Sequence, residues 1–213
     1  MSDLSKFQHP RFARMYERIS REAEGRGTAG HRDRMLAGLS GRVIEVGAGN
    51  GMNFRRYPAT VTEVVAVEPE DLLRASALRV AASATVPVSV VPGHAGALPA
   101  GDASFDAAVL SLVLCSLPSP AEALAEVRRV LKPGGELRFF EHVRSERPTF
   151  ALSQRVITPI WRRATGGCHL DRDSTRAIRE AGFDINEIDR FSYAPLRFAP
   201  PQAHVLGTAQ APQ

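Results

Sequence analysis

The protein has 213 residues, of which 44% are hydrophobic, and a formal net charge of +4. This length suits one domain, residues 1–213, with enough core to fold without disulfides, and two cysteines are too few for a disulfide framework. No apolar stretch approaches the roughly 20 residues that span a bilayer, and no signal peptide is recognisable. We therefore expect a cytoplasmic protein without stable membrane insertion, while the oligomeric state stays open.

The positive charge does not indicate a nucleic-acid partner. All the basic residues except Lys6 and Lys132 are arginines. No basic run alternates with aromatic residues, and neither a helix-turn-helix nor a zinc-finger pattern is present. Because the cysteines and histidines lack zinc-site spacing as well, we predict neither nucleic-acid binding nor a metal site.

In chain order, residues 4–39 predict an amphipathic helical cover, since Phe7, Phe12, Met15, Tyr16 and Ile19 recur at helical spacing. A short apolar strand then leads into a glycine turn and a brief helix that ends near Phe54. Apolar runs predict strands over residues 43–46, 64–67, 86–91, 107–114, 136–140, 183–191 and 203–208. Helical patterns cover residues 70–83, 149–165 and 172–181.

One further helix has clear end signals. Ser119 is a capping residue, Pro120 fits the first helical position, and Pro133-Gly134-Gly135 is expected to stop the helix. The alternation of strands and helices predicts an α/β fold, a mostly parallel sheet with helices on both faces. In such sheets, ligands bind at the carboxyl ends of the strands.

The chemistry of the sequence begins at the glycine turn Gly47-Ala48-Gly49-Asn50-Gly51, which follows the first strand. Glycines there permit a sharp turn and a close approach of ligand to backbone. Glu68 ends the second strand, where a carboxylate can accept hydrogen bonds from both hydroxyls of a ribose. The turn and Glu68 together predict a nucleoside site, although an exposed acid at a strand end is the simpler explanation of Glu68 alone.

The spacing of the turn is GxGxG and not the GxGxxG of dinucleotide folds, which argues against an NAD-dependent oxidoreductase. Glu45 precedes the first glycine by two residues; it would repel a pyrophosphate but suits a cation. S-adenosylmethionine carries a sulfonium and an ammonium beside its adenosine. We therefore predict this cofactor, with an ion pair between Glu45 and a nearby arginine as the alternative role of that acid.

The segments "EVGAGNG", "VAVEP" and "PGHAGALPAGDASFDAAVLSLVLCSLPSPAEALAEVRRVLKPGGELRFFEHV" resemble class I S-adenosylmethionine-dependent methyltransferases. "NFRRYP", "SLVLCSL", "FFEHV" and "PIWRRATGGCHLDRD" are similar to the alkyl thiol methyltransferases of animals and their soluble bacterial relatives. The resemblance implies a Rossmann-like sheet of seven strands whose last strand is antiparallel. It also divides the chain into a helical cover (1–40), a cofactor-binding core (41–145) and a substrate side (146–213).

Carried onto this chain, the resemblance implies a set of cofactor contacts. The methionyl end, the ribose, the adenine and the methyl-donor site would be served by the turn, two strand ends and one loop. These residues are Glu45, Gly47, Ala48, Gly49, Asn50, Gly51, Glu68, Pro69, His94, Ala95, Ser111 and Leu112. His94 stands where many relatives have an aspartate, so it either accepts a bond from adenine, stacks on the base or faces solvent.

The acceptor is expected to be a small hydrophobic molecule, with a thiol favoured. His142, with Glu141 before it, is the best candidate for a base, because only a few per cent of a thiol is ionised at neutral pH. A strand-capping role for His142 is the alternative. Cys115 and Cys168 are interpreted as core and pocket-wall residues.

Two other functions stay open. Quinone and secondary-metabolite C- or O-methyltransferases share the same central motifs, and a cofactor-binding protein without turnover would keep the same turn. The aromatic residues that could line a lid over the acceptor are Phe7, Phe12, Tyr16, Phe150, Trp161 and Phe198.

Overall fold

A computed structural model describes residues 3–197 and 199–213. Phe198 therefore lies outside the described residues, and so does any part it has in a lid. The strands are β1 (Gly41–Val46), β2 (Val61–Val67), β3 (Val88–Val91), β4 (Phe105–Ser111), β5 (Leu131–His142), β6 (Asp184–Tyr193) and β7 (Gln202–Gln210). The α-helices are α1 (Pro10–Ala23), α2 (Ala29–Leu36), α3 (Asp71–Ala81), α4 (Pro120–Val130), α5 (Pro148–Ala164) and α6 (Ser174–Glu180).

The seven strands pair into one sheet in the order β3-β2-β1-β4-β5-β7-β6. The pairs from β3 through β5 are parallel, and β7 is antiparallel to both of its neighbours. This confirms the predicted Rossmann-like sheet with an antiparallel last strand. The chain runs outward from β1 in one direction and returns through β4 in the other. The reversal opens a crevice at the carboxyl ends of β1 and β4, and this is where such folds bind ligands.

The helix ends follow the sequence signals in part. Ser119 caps α4, since its Oγ accepts from the Glu122 amide at 3.3 Å, and Pro120 is the first helical residue. The helix ends at Val130, before the predicted Pro-Gly-Gly stop, because Leu131 is buried and already pairs with Phe105 as the start of β5.

Two further boundaries differ from prediction. The strand expected to reach residue 114 ends at Ser111, because Leu112 has a left-handed backbone (φ 60°) that turns the chain out of the sheet. The helical cover is interrupted at Gly27 (φ 115°), so that α1 and α2 are separate helices.

Two apolar layers cover the sheet. One contains Leu110, Leu124 and Phe139 with α4 and α6; the other contains Met35 and Phe54 beside α2 and α3. Across residues 3–197 and 199–213, none of the helices combines the length and the apolar character needed to cross a bilayer.

Candidate functional site

The glycine turn is attached to the end of β2. The amides of Gly47 and Ala48 both donate to the Val67 carbonyl, at 2.9 and 3.1 Å. At Gly47 (φ 70°) an added Cβ would lie 2.8 Å from a Val113 methyl, so no larger residue fits there. The turn therefore brings the loop after β4 against the loop after β1, at the predicted crevice.

Glu68 lies at the same edge and is nearly buried, with 5% of its surface exposed. Its two carboxylate oxygens accept from the Gly49 amide at 2.7 Å and the Glu70 amide at 2.9 Å. Burial raises the pKa of Glu68 to about 7, although both amide bonds oppose the shift. The carboxylate thus fixes the turn and keeps free lone pairs on both oxygens.

Glu45 is buried within β1, and its oxygens accept from Asn53 Nδ2 at 2.8 Å and from the Tyr57 hydroxyl at 2.7 Å. Burial raises the pKa of Glu45 to about 7 as well. These two donors belong to the "NFRRYP" segment, which therefore contacts Glu45 through its asparagine and its tyrosine. Arg32 completes the network, because its Nη1 donates to Asn53 Oδ1 and to Ser111 Oγ, both at 2.9 Å.

Arg32 was not predicted from the sequence. It lies in a segment with the composition of a solvated cover, yet only 5% of it is exposed, and its Nε pairs with Glu24 at 2.8 Å. The alternative role predicted for Glu45, an ion pair with an arginine, is present only indirectly, since Asn53 stands between the two.

The first helix covers the turn. Tyr16 lies against Gly49, where an added Cβ would be 3.3 Å from Tyr16 Cε1. Burial raises the pKa of the Tyr16 phenol, and the charges of Arg32, Glu68 and Glu45 also act on it. The phenol therefore lies among the groups expected to hold a cofactor.

The segment before α1 extends this cover to the adenine side. Gln8 Nε2 donates to the Pro69 carbonyl at 2.9 Å, and the Phe7 ring stacks on His94 with centroids 4.9 Å apart. His94 Nδ1 also accepts from the Gly96 amide at 3.2 Å, while Ala95 is buried in the core beside it. The His94 ring is thus at a stacking surface.

Asn50, inside the turn, donates to Ser20 Oγ of α1 at 3.0 Å, and its buried Oδ1 has no partner among the described residues. Ser111 is the last residue of β4, and Leu112, which follows it, packs on the apolar cluster that contains Ala48 of the turn. The Leu112 amide donates to the Phe140 carbonyl at 2.6 Å, which holds its left-handed turn in place.

Glu141 was expected to take part in catalysis, and its contacts are those of a positioning residue instead. Its side chain is fully buried, and its oxygens accept from the amides of Val113, Leu114 and Cys115 at 2.8, 2.9 and 3.1 Å. Burial raises the pKa of Glu141 well above its usual value. The carboxyl group therefore holds the loop after β4 in place.

Three residues that are distant in the sequence meet beside this loop. His142 Nδ1 lies 3.7 Å from the Cys115 sulfur and 3.5 Å from the Cys168 sulfur. The contact with Cys168, and burial, raise the pKa of Cys115. Burial works to lower the pKa of His142, but the contacts with Cys115 and the charge of Glu141 bring it above its usual value. This cluster was not predicted, because 26 or more residues of sequence separate His142 from each cysteine.

His204 lies next to the cluster, with its ring centroid 4.5 Å from that of His142. Its Nδ1 contacts the Gln202 carbonyl at 2.8 Å, and burial lowers the pKa of His204 to about 2, so the ring is neutral. An open cavity of about 650 Å³ adjoins it, with a lining that mixes apolar and charged residues. Among them are Val143, Arg144, Phe150, Arg190, Phe191 and Ala203.

Comparison with known proteins decides the family. The methyltransferase domain family matches residues 44–139, which hold the turn, Glu68 and the loop after β4. Thiol S-methyltransferase TMT1B of Rattus norvegicus is 36% identical over 181 residues, covering 82% of this chain and 73% of the relative. The chain belongs to the S-adenosylmethionine-dependent methyltransferases. S-adenosylmethionine is therefore the cofactor of this enzyme.

Other relatives of the chain are also methyltransferases. Thiol S-methyltransferase TMT1A of Homo sapiens is 34% identical over 180 residues, covering 82% of this chain and 73% of that protein. A demethylmenaquinone methyltransferase of Renibacterium salmoninarum is 36% identical over 123 residues, 58% of this chain and 49% of its own.

Solved structures share the methyltransferase fold at low identity. A putative methyltransferase of Bacillus halodurans has a TM-score of 0.72 at 18% identity and covers 86% of this chain and 98% of its own. An S-adenosylmethionine-dependent methyltransferase of Thermotoga maritima has a TM-score of 0.72 at 21% identity, with coverages of 94% and 97%.

Proposed function

We propose that this methyltransferase transfers a methyl group to the sulfur of a small hydrophobic thiol. The observation that carries the proposal is the extent of the likeness to the thiol S-methyltransferases. It spans 181 residues, well beyond the 44–139 segment that methyltransferases of many substrates share. The likeness to the quinone enzyme covers only 123 residues. Similarity outside the cofactor-binding core bears on the acceptor, because substrate-side elements lie there.

In this proposal Glu68 accepts from the ribose hydroxyls, and the backbone of Gly47–Gly51 takes the methionyl end. The residues fit such a ligand, since the unpartnered Asn50 Oδ1 is an acceptor suited to an ammonium donor. The atoms nearest to an added Cβ at Gly49 belong to the Tyr16 ring, which therefore covers the backbone of the turn on this side. Glu45 adds negative charge behind the turn.

The adenine and methyl-donor ends use the remaining predicted residues. His94 offers a stacking face, which Phe7 occupies in this structure, and Pro69 and Ala95 border it. Ser111 and Leu112 lie at the sulfonium end. His94 therefore acts in this proposal by stacking and not as a hydrogen-bond partner.

S-adenosylmethionine supplies an already activated methyl group, and the protein's work is alignment and exclusion of water. Holding two reactants in line contributes roughly 7–11 kcal/mol to lowering the barrier. The rigid parts suited to this are the loop after β4, which Glu141 fixes, and the left-handed Leu112. The cavity of about 650 Å³ beside His204 has the size of a small-molecule site.

The test is to incubate the purified enzyme with methyl-labelled S-adenosylmethionine and three acceptor sets, namely alkyl and aryl thiols, phenols, and demethylated quinones. We expect labelled thioethers from hydrophobic thiols at rates far above those of the other sets. Turnover of quinones alone would replace the proposal with the alternative that the shorter relatives suggest. Cofactor binding without any turnover would reduce the chain to a binding protein.

A further inference from the structure

The residues Cys115, His142 and Cys168 form a compact donor cluster that is separate from the proposed cofactor contacts. Their sulfur and nitrogen atoms all lie within 4.8 Å of one another. The two thiols are 1% and 4% exposed. No disulfide joins the cysteines. Two thiols and one imidazole therefore face the same small volume.

Hydrogen bonds to His142 alone do not account for this arrangement. Both sulfurs approach the same atom, His142 Nδ1, at 3.7 and 3.5 Å. A ring nitrogen has either one lone pair or one proton to offer, so it can bond only one of the two thiols. Coordination of one central ion by all three residues, by contrast, places both sulfurs close to the same nitrogen.

The distances agree with tetrahedral zinc. Bonds of about 2.3 Å to sulfur and about 2.0 Å to nitrogen place the sulfur and nitrogen ligands about 3.5 Å apart. Two thiolates balance the charge of a divalent ion, and soft sulfur ligands select zinc over magnesium or calcium. An ion would thus fit at the centre with small side-chain movements.

The backbone around the cluster is fixed from three sides. The Cys115 amide donates to Glu141, and its carbonyl accepts from the His169 amide at 2.8 Å, which ties the two cysteine loops together. Arg172 Nη1 donates to the Leu114 carbonyl at 2.6 Å. Gly167 (φ 100°) allows the close approach, since an added Cβ would lie 3.0 Å from the Ser116 carbonyl oxygen.

We propose that Cys115, His142 and Cys168 bind a zinc ion. In the part of the chain that the structure describes, no fourth His, Cys, Asp or Glu joins the group. Three protein ligands with one open position are typical of zinc sites that bind an exogenous ligand. The site lies at the ends of β4 and β5, the same edge of the sheet as the glycine turn.

Zinc coordinated to Nδ1 leaves the ring proton of His142 on Nε2. Neither ring nitrogen can then accept a proton, so metal coordination replaces the role of base predicted from the sequence. A thiol in the open position would lose its proton to solvent and bind as thiolate. Methyl transfer to that sulfur then yields a thioether and S-adenosylhomocysteine. This last step rests on the proposed thiol acceptor, whereas zinc binding does not.

The test measures metal binding directly on the full-length protein, kept reduced with a phosphine. Zinc is titrated in competition with a chromophoric chelator, and cobalt is used as a spectroscopic probe of the ligands. We expect one zinc per chain and intense sulfur-to-cobalt charge-transfer bands. Cys168→Ser should weaken zinc binding by about 100-fold or more, because substitution of a residue that only hydrogen-bonds to a metal ligand already lowers metal affinity by about 10- to 100-fold. His169→Ala, in the same loop but outside the cluster, should bind as the wild type does.

Wild-type measurements decide the matter even if a cysteine variant fails to fold. Absence of stoichiometric zinc binding, or a cobalt spectrum without sulfur bands, overturns the proposal. Equal affinity of folded Cys168→Ser and wild type does so too. Zinc binding without turnover of thiols would refute the proposed acceptor and leave the metal site standing.

Discussion

Replacing Glu68 tests the ribose assignment most directly. The carboxylate already accepts from the Gly49 and Glu70 amides and has lone pairs left for two hydroxyls. Hydrogen bonds to a charged group contribute about 1.5–3 kcal/mol. Losing that contribution in Glu68→Ala should weaken cofactor binding by about 10- to 150-fold.

Isothermal calorimetry should compare S-adenosylmethionine with S-adenosylhomocysteine. Both ligands carry the same ribose, so Glu68→Ala should weaken both equally; a loss confined to the sulfonium ligand would assign Glu68 a purely electrostatic role. The matched control is Glu70→Ala. Glu70 is as buried as Glu68 and caps α3 by accepting from the Leu73 amide at 2.8 Å. It should cost about 1 kcal/mol of stability and leave cofactor affinity unchanged. An unchanged dissociation constant in folded Glu68→Ala would refute the assignment.

Three further outcomes are expected. Burial raises the pKa of both Glu68 and Glu45 to about 7 in the ligand-free protein. Cofactor affinity should therefore rise with pH up to about 7 and then level off. The rise should be at most about tenfold per pH unit for each carboxyl that ionises on binding. Folding keeps both carboxyls protonated at pH values above their usual pKa of 4.5, so the free energy of unfolding without cofactor should fall as pH rises from about 4.5 through about 7. A cofactor affinity that stays constant from pH 6 to 8 would contradict the assignment of these carboxyls to the cofactor site. Arg32→Met should lower the free energy of unfolding, measured in urea, by about 3 kcal/mol, because it breaks a buried ion pair. Arg56 is partly exposed, so the control Arg56→Met should cost about 1 kcal/mol or less. Similar losses in the two variants would show that the Arg32 network is not buried in solution. Gly167→Ala should lower the melting temperature by several degrees because of its left-handed backbone, and Gly30→Ala, where an added Cβ meets nothing within 4 Å, should leave the temperature unchanged or raise it.

Local patterns predicted the sheet and the position of the glycine turn well. The strand with the glycine turn, the acid at the end of β2 and the capped helix α4 each depend on residues that are close in the sequence. Strand ends were less predictable. The apolar run to Leu114 continues past β4 because a buried loop needs apolar residues as much as a strand does. The left-handed Leu112 and the Glu141 contacts distinguish the loop from the strand.

The groups that the sequence did not reveal come from distant positions. Arg32 reaches the crevice from a segment that has the composition of a surface helix. Cys115, His142 and Cys168 have no common spacing, since three different elements bring them together. Glu141 was interpreted through its position at a strand end, and its direction relative to the loop amides became visible only in the fold.

The closed arrangement of Tyr16, Ser20 and Gln8 over the glycine turn has a kinetic consequence. In the proposed mode of binding, Tyr16 covers the side of the turn from which a nucleoside would reach Glu68, so we expect the phenol to move when the nucleoside enters and again when the product leaves. The amino-terminal segment would then move twice in each catalytic cycle. A covalent tether between α1 and α3 would halt turnover in a protein whose sheet is intact.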